Sequence, residues 1–388
     1  MSGMRIGILT GGGDVPGLNP CIKAVVEGAS ERGWEVVGFR RGWAGVLQVD
    51  PEDPASHAGA VEILTPRRLV GIERTGGTIL HTSRTSPHLL SEPALPAFLK
   101  GRFQPKPGQA TLDCTPHVLK VLEHLGIDVL VPIGGDGTLT FAAHLHRQGV
   151  KVVSIPKTMD NDVSGTDYCI GFSTAVSRSV DCINALRTTL ESHERVGFIE
   201  LFGRNSGETA LLAAYLAVAD RALVSEVPFD LDRLARFIVE DRAQAAGNYS
   251  IVVLSEGAYA AGEAPQAQGA MDAHGNRRLG GIGDVTAARI HELTGVPTLA
   301  QRLAYLMRAG APDALDRMVA AAYAGLAIQE IAAGRFGVMT ALVDGVYATV
   351  AADACAGGAR RLNVAELYDP ETYRPRIRRF MGKPMFLY

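Results

Sequence analysis

The chain has 388 residues, 47% of them hydrophobic and 20% charged, with a formal net charge of −3. That length predicts two domains with ample apolar side chain for a core, and it excludes bulk disorder. The balanced charge offers no basic excess for nucleic acid or an anionic membrane surface, and no apolar run reaches membrane-spanning length. The five cysteines (Cys21, Cys114, Cys169, Cys182 and Cys355) are odd in number and form no CxxC pair. Reduced thiols in a cytoplasmic protein are therefore expected.

Residues 5–10 (RIGILT) read as a buried strand. Gly11-Gly12-Gly13 follow, then a helix to Glu31 with Asn19 as its expected N-cap and Pro20 as its first residue. Residues 34–39 read as a second strand, and 87–115, rich in proline and polar residues, as a surface insertion. Residues 127–133 (IDVLVPI) form the next buried strand; it runs into Gly134-Gly135-Asp136-Gly137-Thr138 and a helix through about Arg147. Residues 151–155 are a strand that delivers the stretch IPKTMDND, 155–162. Helices are predicted at 173–189, 206–219, 231–242, 284–293 and 313–333, and strands at 196–202 and 250–255. Residues 258–283 read as a second insertion. The tail, 368–388, carries Arg374, Arg376, Arg378, Arg379 and Lys383 among apolar residues and is expected to pack on a smaller domain. This alternation predicts an α/β protein whose parallel sheets are covered by helices on both faces and joined by right-handed crossovers. Ligands in such sheets lie beyond the carboxyl ends of strands. The loops 11–14, 134–138 and 157–162 fall at such ends and are expected to converge on one crevice.

Glycines after a strand let backbone N–H groups approach phosphate oxygens, and a following helix N-terminus adds partial positive charge. Asp136 inside such a loop would repel phosphate unless a cation lay between them, and Mg²⁺ is the usual one. The Walker A pattern GxxxxGK[ST] is absent. Asp160 and Asp162, two apart in one loop, suit a general base on a hydroxyl and a partner that orients it or helps hold metal. Arg204 sits in another strand-to-helix turn, Phe202-Gly203-Arg204-Asn205-Ser206-Gly207, where a planar guanidinium suits phosphate. Glu256 ends a strand and can accept from sugar hydroxyls. The residues alone thus point to phosphoryl transfer onto a phosphorylated sugar or polyol.

Together these motifs resemble the phosphofructokinase family, over most of the chain. ILTGGGDVPGLN is similar to its first glycine loop, and GGT through Ser83-Arg84 to its arginine bridging the two phosphates. IGGDGT is similar to its metal and nucleotide loop, and PKTMDNDVSGTDYCIGF to its catalytic loop. SHER, ELFGRNSGE, SEG and RAGAPDALDR are similar to its sugar-phosphate segments. The resemblance implies two Rossmann-like three-layer domains with mostly parallel sheets and an active site in the cleft between them. Residues 1–171 with 307–355 would bind the donor, and 172–306 with 356–388 the sugar phosphate. It implies glycolytic, Mg²⁺-dependent phosphorylation of fructose 6-phosphate at its 1-hydroxyl. Asp160 would be the base, Asp162 its support, and Asp136 the metal ligand. Arg84 would stabilise the transferring group, with Lys157 and Thr158 in the same loop as the base. Gly12, Gly13, Thr85, Gly135, Gly137 and Thr138 would line the donor site. Arg195 (reaching in from a neighbouring subunit), Arg204, Arg308, Tyr305, Phe202, Gly203 and Glu256 would hold the sugar phosphate. A homodimer or homotetramer follows from a bridging Arg195.

The chain departs from the family pattern at Leu299, where many members carry arginine; Arg302 is the nearby candidate to replace it. Lys23, Arg187 and Glu226 could match a bacterial effector site, but Glu27 stands where a basic residue is common, so regulation by ADP or phosphoenolpyruvate is expected to be weak or absent. The family uses ATP or pyrophosphate as donor. Lys157 is the lysine of pyrophosphate users, whereas Gly137 is the small residue that leaves room for an α-phosphate. Sterics favour ATP, with pyrophosphate as the alternative. A catalytically silent sugar-phosphate or nucleotide sensor could share the loops, but Asp136, Asp160, Asp162 and Arg84 together argue against it. Lipid and NAD kinases share GGDGT and lack the other segments.

Overall fold

Strand β1 (Arg5–Gly11) is apolar on both faces and buried from Ile6 onward, as a central parallel strand must be. It is followed by α1 (Leu18–Ser30), β2 (Glu35–Phe39), α2 (Trp43–Gln48), β3 (Val61–Leu64), α3 (Thr115–His124), β4 (Val129–Gly134), α4 (Asp136–Arg147) and β5 (Val153–Pro156). The structure, a computed structural model, describes residues 3–105, 110–265, 267–271 and 277–376. Helix α5 (Phe172–Ser192) leads into β6 (Val196–Leu201), α6 (Glu208–Leu216), β7 (Arg221–Leu223), α7 (Leu231–Gln244) and β8 (Ser250–Ser255). A hairpin of β9 (Ala267–Met271) and β10 (Arg277–Leu279) precedes α8 (Ile282–Thr294) and β11 (Thr298–Arg302). Helix α9 (Ala314–Ala332) returns the chain to β12 (Val338–Val343) and β13 (Val346–Ala351).

The strands make two main sheets. One has seven strands in the order β13-β12-β5-β4-β1-β2-β3, parallel from β12 to β2 with an antiparallel strand at each edge. The other has four parallel strands in the order β11-β6-β8-β7. The α/β class and the mostly parallel sheets are as expected. A shared apolar core runs from α1 and α9 through α5 to β6, β8 and α6.

Three local expectations change. Helix α1 starts at Leu18 with Gly17 as its cap (φ 111), so Asn19 is not the N-cap and Pro20 is not the first residue. Asn19 is buried inside the helix, where its amide donates to Thr75 Oγ1 (2.9 Å) and Gly76 O (3.1 Å) and its Oδ1 accepts from Ile79 N (2.9 Å). Long-range partners outweigh a cap here, because a buried amide needs all its bonds. Second, the stretch 87–115 is not peripheral: Leu90, Leu95, Leu99 and Leu112 are buried with Trp43 and Phe141 in a second core cluster. Short proline-broken turns carry these leucines, so no helical or strand period announces them. Third, the stretch 258–283, an insertion by sequence, carries paired strands of its own and runs into the first residues of α8. The described part of the tail, 368–376, packs on β7 and α7: Tyr368 Oη donates to Ala222 O (2.8 Å), and Arg374 Nη2 donates to Asp241 Oδ1 (2.9 Å). Arg378, Arg379 and Lys383 lie outside the described residues.

Candidate active site

Strands β1, β4 and β5 are parallel neighbours, with Gly11 opposite Gly134 and Gly134 opposite Pro156. The three loops that follow therefore leave the sheet side by side, as expected. Gly12 N donates to Ser83 O (2.8 Å) and Thr82 Oγ1 donates to Gly12 O (2.8 Å), which stitches the segment bearing Arg84 and Thr85 onto the first glycine loop. A Cβ on Gly12 (φ 85) would lie 3.1 Å from Lys157 Nζ, and one on Gly13 would collide with the Arg308 guanidinium. These glycines let two cations approach the loop. Gly135 precedes α4, Asp136 occupies its exposed first turn, and Thr140 Oγ1 donates to Asp136 Oδ1 (3.2 Å). Thr138 is buried, with its side chain filling the space beside Gly11 and Gly134. A Cβ on Gly137 would meet nothing within 4 Å.

The loop after β5 turns tightly. Asp160 N donates to Thr158 Oγ1 (3.2 Å), and Asn161 takes a left-handed conformation (φ 54), which asparagine tolerates better than most residues. Asp160 Oδ1 is sealed from solvent with no hydrogen-bond partner. Its carboxyl is raised well above the ordinary value by burial, then by the Asp162 and Glu256 charges, against the pull of Arg204 and Lys157. Burial also raises Asp162, and Asp136 adds to that, while hydrogen bonds from Thr158 and Asn205 oppose it. Lys157 is buried; desolvation and the Arg308 and Arg84 charges push it down to about 8, with Asp14 and Asp162 pulling the other way. The acids, Lys157, Arg84, Arg204, Glu256 and Arg308 thus share one electrostatic neighbourhood.

The four-stranded sheet supplies the opposite wall from its own carboxyl ends. After β6, Gly203 (φ 136) is held by the Ser225 hydroxyl (2.8 Å) and the Ser255 hydroxyl, both donating to its carbonyl. That turn carries Phe202 and Arg204, and Glu256 follows β8 directly. Beyond β11, Arg308 lies 4.9 Å from the Tyr305 ring and 5.9 Å from the Phe202 ring, and its Nη2 is 3.4 Å from Asp14 Oδ1. The two rings meet edge to face at 5.7 Å. Thr209 Oγ1 donates to Met159 O (2.9 Å), joining α6 to the acid-bearing loop.

Arg195 stands apart. It precedes β6, while Arg204 follows it, and the six residues of β6 alone span roughly 20 Å at ~3.3 Å each. It does not reach the site of its own chain. Leu299 lies on β11 against the core, and Arg302 is paired with Asp284, with Glu200 at 3.9 Å. Asp14, Asn205, Glu208 and Arg360 belong to the site's surroundings and were missed. Asp14 adjoins GGG and Asn205 adjoins Arg204, so their place in the motifs could have shown them. Glu208 and Arg360 offered no such signal.

The family model described as phosphofructokinase matches residues 5–331. The chain belongs to the phosphofructokinase family. This is a family of phosphotransferases. The chain is 37% identical over 356 residues to the ATP-dependent 6-phosphofructokinase of Chloroflexus aurantiacus, covering 90% of this chain and 91% of that one. It is 39% identical over 341 residues to the pyrophosphate–fructose 6-phosphate 1-phosphotransferase of Amycolatopsis mediterranei, covering 87% and 90%. Among solved structures, the pyrophosphate-dependent phosphofructokinase of Marinobacter aquaeolei shares the fold with a TM-score of 0.72 at 17% identity, over 98% of this chain and 95% of that one. Phosphofructokinases of both donor classes stand at similar identity, so overall similarity leaves the donor open. Among the described residues no helix is long and apolar enough to cross a membrane.

Proposed function

We propose that the protein transfers the terminal phosphoryl group of ATP to the 1-hydroxyl of fructose 6-phosphate, giving fructose 1,6-bisphosphate. The observation that carries the chemistry is Asp160. Its Oδ1 is sealed and unpartnered, and its carboxyl is raised by burial and by neighbouring acids. An arriving hydroxyl supplies the hydrogen bond that this oxygen lacks. A base whose pKa is raised toward working pH is also the stronger proton acceptor. As the sugar oxygen bonds to the γ-phosphorus, its proton passes to Asp160 and the bond from that phosphorus to the leaving ADP oxygen breaks. In this reading Lys157 and Arg84 balance charge on the transferring group, Arg204 and Arg308 hold the 6-phosphate, and Glu256 accepts from sugar hydroxyls; their electrostatic influence on Asp160 and Lys157 supports it. Arg195, at the far end of β6, supports a homo-oligomer in which a second copy supplies that side chain.

The donor set fits Mg²⁺. The hard carboxylate of Asp136 adds to the cost of ionising Asp162, as expected where the two are to share a cation. Among the described residues no three His, Cys, Asp or Glu side chains form a complete metal cage. Mg²⁺ habitually takes one or two carboxylates and completes its shell with water and substrate phosphates. Bound by Asp136 with Asp162 in support, it would neutralise phosphate charge.

For the donor, Gly137 supports ATP. It sits exposed in the first turn of α4, and its packing does not require glycine, since a Cβ would meet nothing within 4 Å. An aspartate could be built there within this fold, and it would fill and repel the place of an α-phosphate. Buried Lys157 favours the second reading, pyrophosphate. The decisive experiment assays fructose 6-phosphate with MgATP and with Mg-pyrophosphate in parallel. Turnover with MgATP is expected, and Gly137→Asp should damage ATP use more than pyrophosphate use. Turnover with pyrophosphate alone would overturn the ATP assignment.

A further inference from the structure

We propose that Arg360, in the segment after β13, is a positioning residue that holds the two-acid turn in register with the sugar-phosphate wall. The inference rests on Asp160 and Asp162 being the reacting pair. Arg360 lies outside the span matched by the family model, residues 5–331, and in no motif. Its backbone N donates to Asp162 O (2.8 Å) and its Nη1 donates to Asn161 O (3.0 Å). Two consecutive carbonyls of the loop thus end on one residue. The same Nη1 donates to Glu208 Oε2 (2.5 Å), and Nη2 donates to Oε1 (3.4 Å).

Glu208 is buried in the first turn of α6, four positions beyond Arg204. Its Oε1 also accepts from the Asn161 side-chain amide (3.3 Å). Asn161 itself is pinned: its amide donates to Asp167 O (3.0 Å), and its Oδ1 accepts from Cys169 N (2.8 Å). A second tie runs beside the first, since Glu226 accepts from both Leu362 N (2.9 Å) and Gly207 N (3.1 Å). The segment around 360–362 therefore bridges the acid-bearing loop of one sheet and the arginine-bearing turn of the other. It does so through carbonyls and a buried carboxylate, so Arg360 acts on the acids by placing their peptide planes. Asn161, with its left-handed backbone, is the joint where lost support would let both carboxylates move.

The test is steady-state kinetics of the full chain with fructose 6-phosphate and whichever donor it turns over, comparing Arg360→Ala, Arg360→Lys, Glu208→Gln and Asp160→Ser. Misplacing reacting groups by about 1 Å can cost on the order of 100-fold. Arg360→Ala should therefore lower kcat by about 10- to 100-fold, with KM for either substrate moving less than kcat. Millimolar guanidinium should restore part of the lost rate, and Arg360→Lys should fall between Ala and the native residue. Native kcat in Arg360→Ala would overturn the proposal. So would a loss that tracks a lowered melting temperature and is not rescued by guanidinium. If Arg360→Ala does not fold, Glu208→Gln carries the test: it should show the same lowered kcat, and a native kcat there overturns the proposal. Asp160→Ser separates the two ideas. If it stays active, the acid assignment itself fails. If it is dead while the Arg360 variants run at full rate, only the positioning role fails.

Discussion

Asp160 is placed against its own stability. A buried carboxyl oxygen without a partner is a group the fold holds at a cost, and sites built for chemistry are where such costs concentrate. Burial and neighbouring acids raise its folded-state pKa above the ordinary 3.8, so the folded protein prefers it protonated. The stability it contributes is complete below that ordinary value and is lost as pH rises through the raised one. Asp160→Asn, neutral at every pH, should melt above the native protein at about pH 8, and the gap should close toward about pH 4. Thermal melts at the two pH values check this; a variant that melts lower at both would contradict it. The same logic predicts lost catalysis. Asp160→Ser should cut kcat by about 10²- to 10⁴-fold, the range that a general base contributes, and a rate near native would point to another base.

The loop that carries the acids is bounded by β5 and α5, and α5 is fixed in turn by α9. Asp313 caps α9 by accepting from Asp316 N (2.8 Å), and it accepts from Ser173 Oγ of α5 (2.6 Å). Asp316, fully buried, accepts from Tyr168 Oη (2.8 Å), Gly171 N (2.7 Å), Thr174 N (2.8 Å) and Thr174 Oγ1 (2.5 Å). Burial, opposed by the Thr174 and Gly171 donors, leaves its carboxyl raised to about 6. One acid thus satisfies the N-terminal turn of α5 and locks it to the helix that follows Arg308. Asp316→Asn would turn an NH₂ toward N–H donors. It should cost about 1–3 kcal/mol in denaturant unfolding, the penalty for an unsatisfied buried polar group. An unchanged midpoint would show that the junction tolerates the loss.

Across the whole molecule, the residues that match a bacterial effector site are occupied within the chain. Lys23 pairs with Glu73 (2.8 Å) and approaches Glu27 (3.8 Å). Arg187 donates to the Ala217 and Val218 carbonyls, and Glu226 serves Gly207 and Leu362. The expected result is a hyperbolic fructose 6-phosphate curve that neither ADP nor phosphoenolpyruvate shifts; a sigmoidal curve relieved by ADP would refute it. Much of this architecture was legible beforehand. Glycine loops, β-branched runs and the PKTMDND stretch are local features whose chemistry and periodicity survive in one dimension, so they announced parallel strands and three loops at strand ends. Asn19 was misread because its partners, Thr75, Gly76 and Ile79, lie far along the chain. The leucines of 87–115 gave no period, because proline-broken turns bury them individually. Residue types and order by themselves determined the α/β class and the family, and they pointed to Asp136, Asp160, Asp162, Lys157 and Arg204 but not to Asp14, Glu208 or Arg360. Only the tertiary structure decided which of them meet. It carried Arg195 away from its own site, tied Arg302 to Asp284, and set Arg360 against Asn161 from 199 positions away. Those outcomes depend on strand order and on where buried charges find partners, and neither is written in any local stretch of sequence.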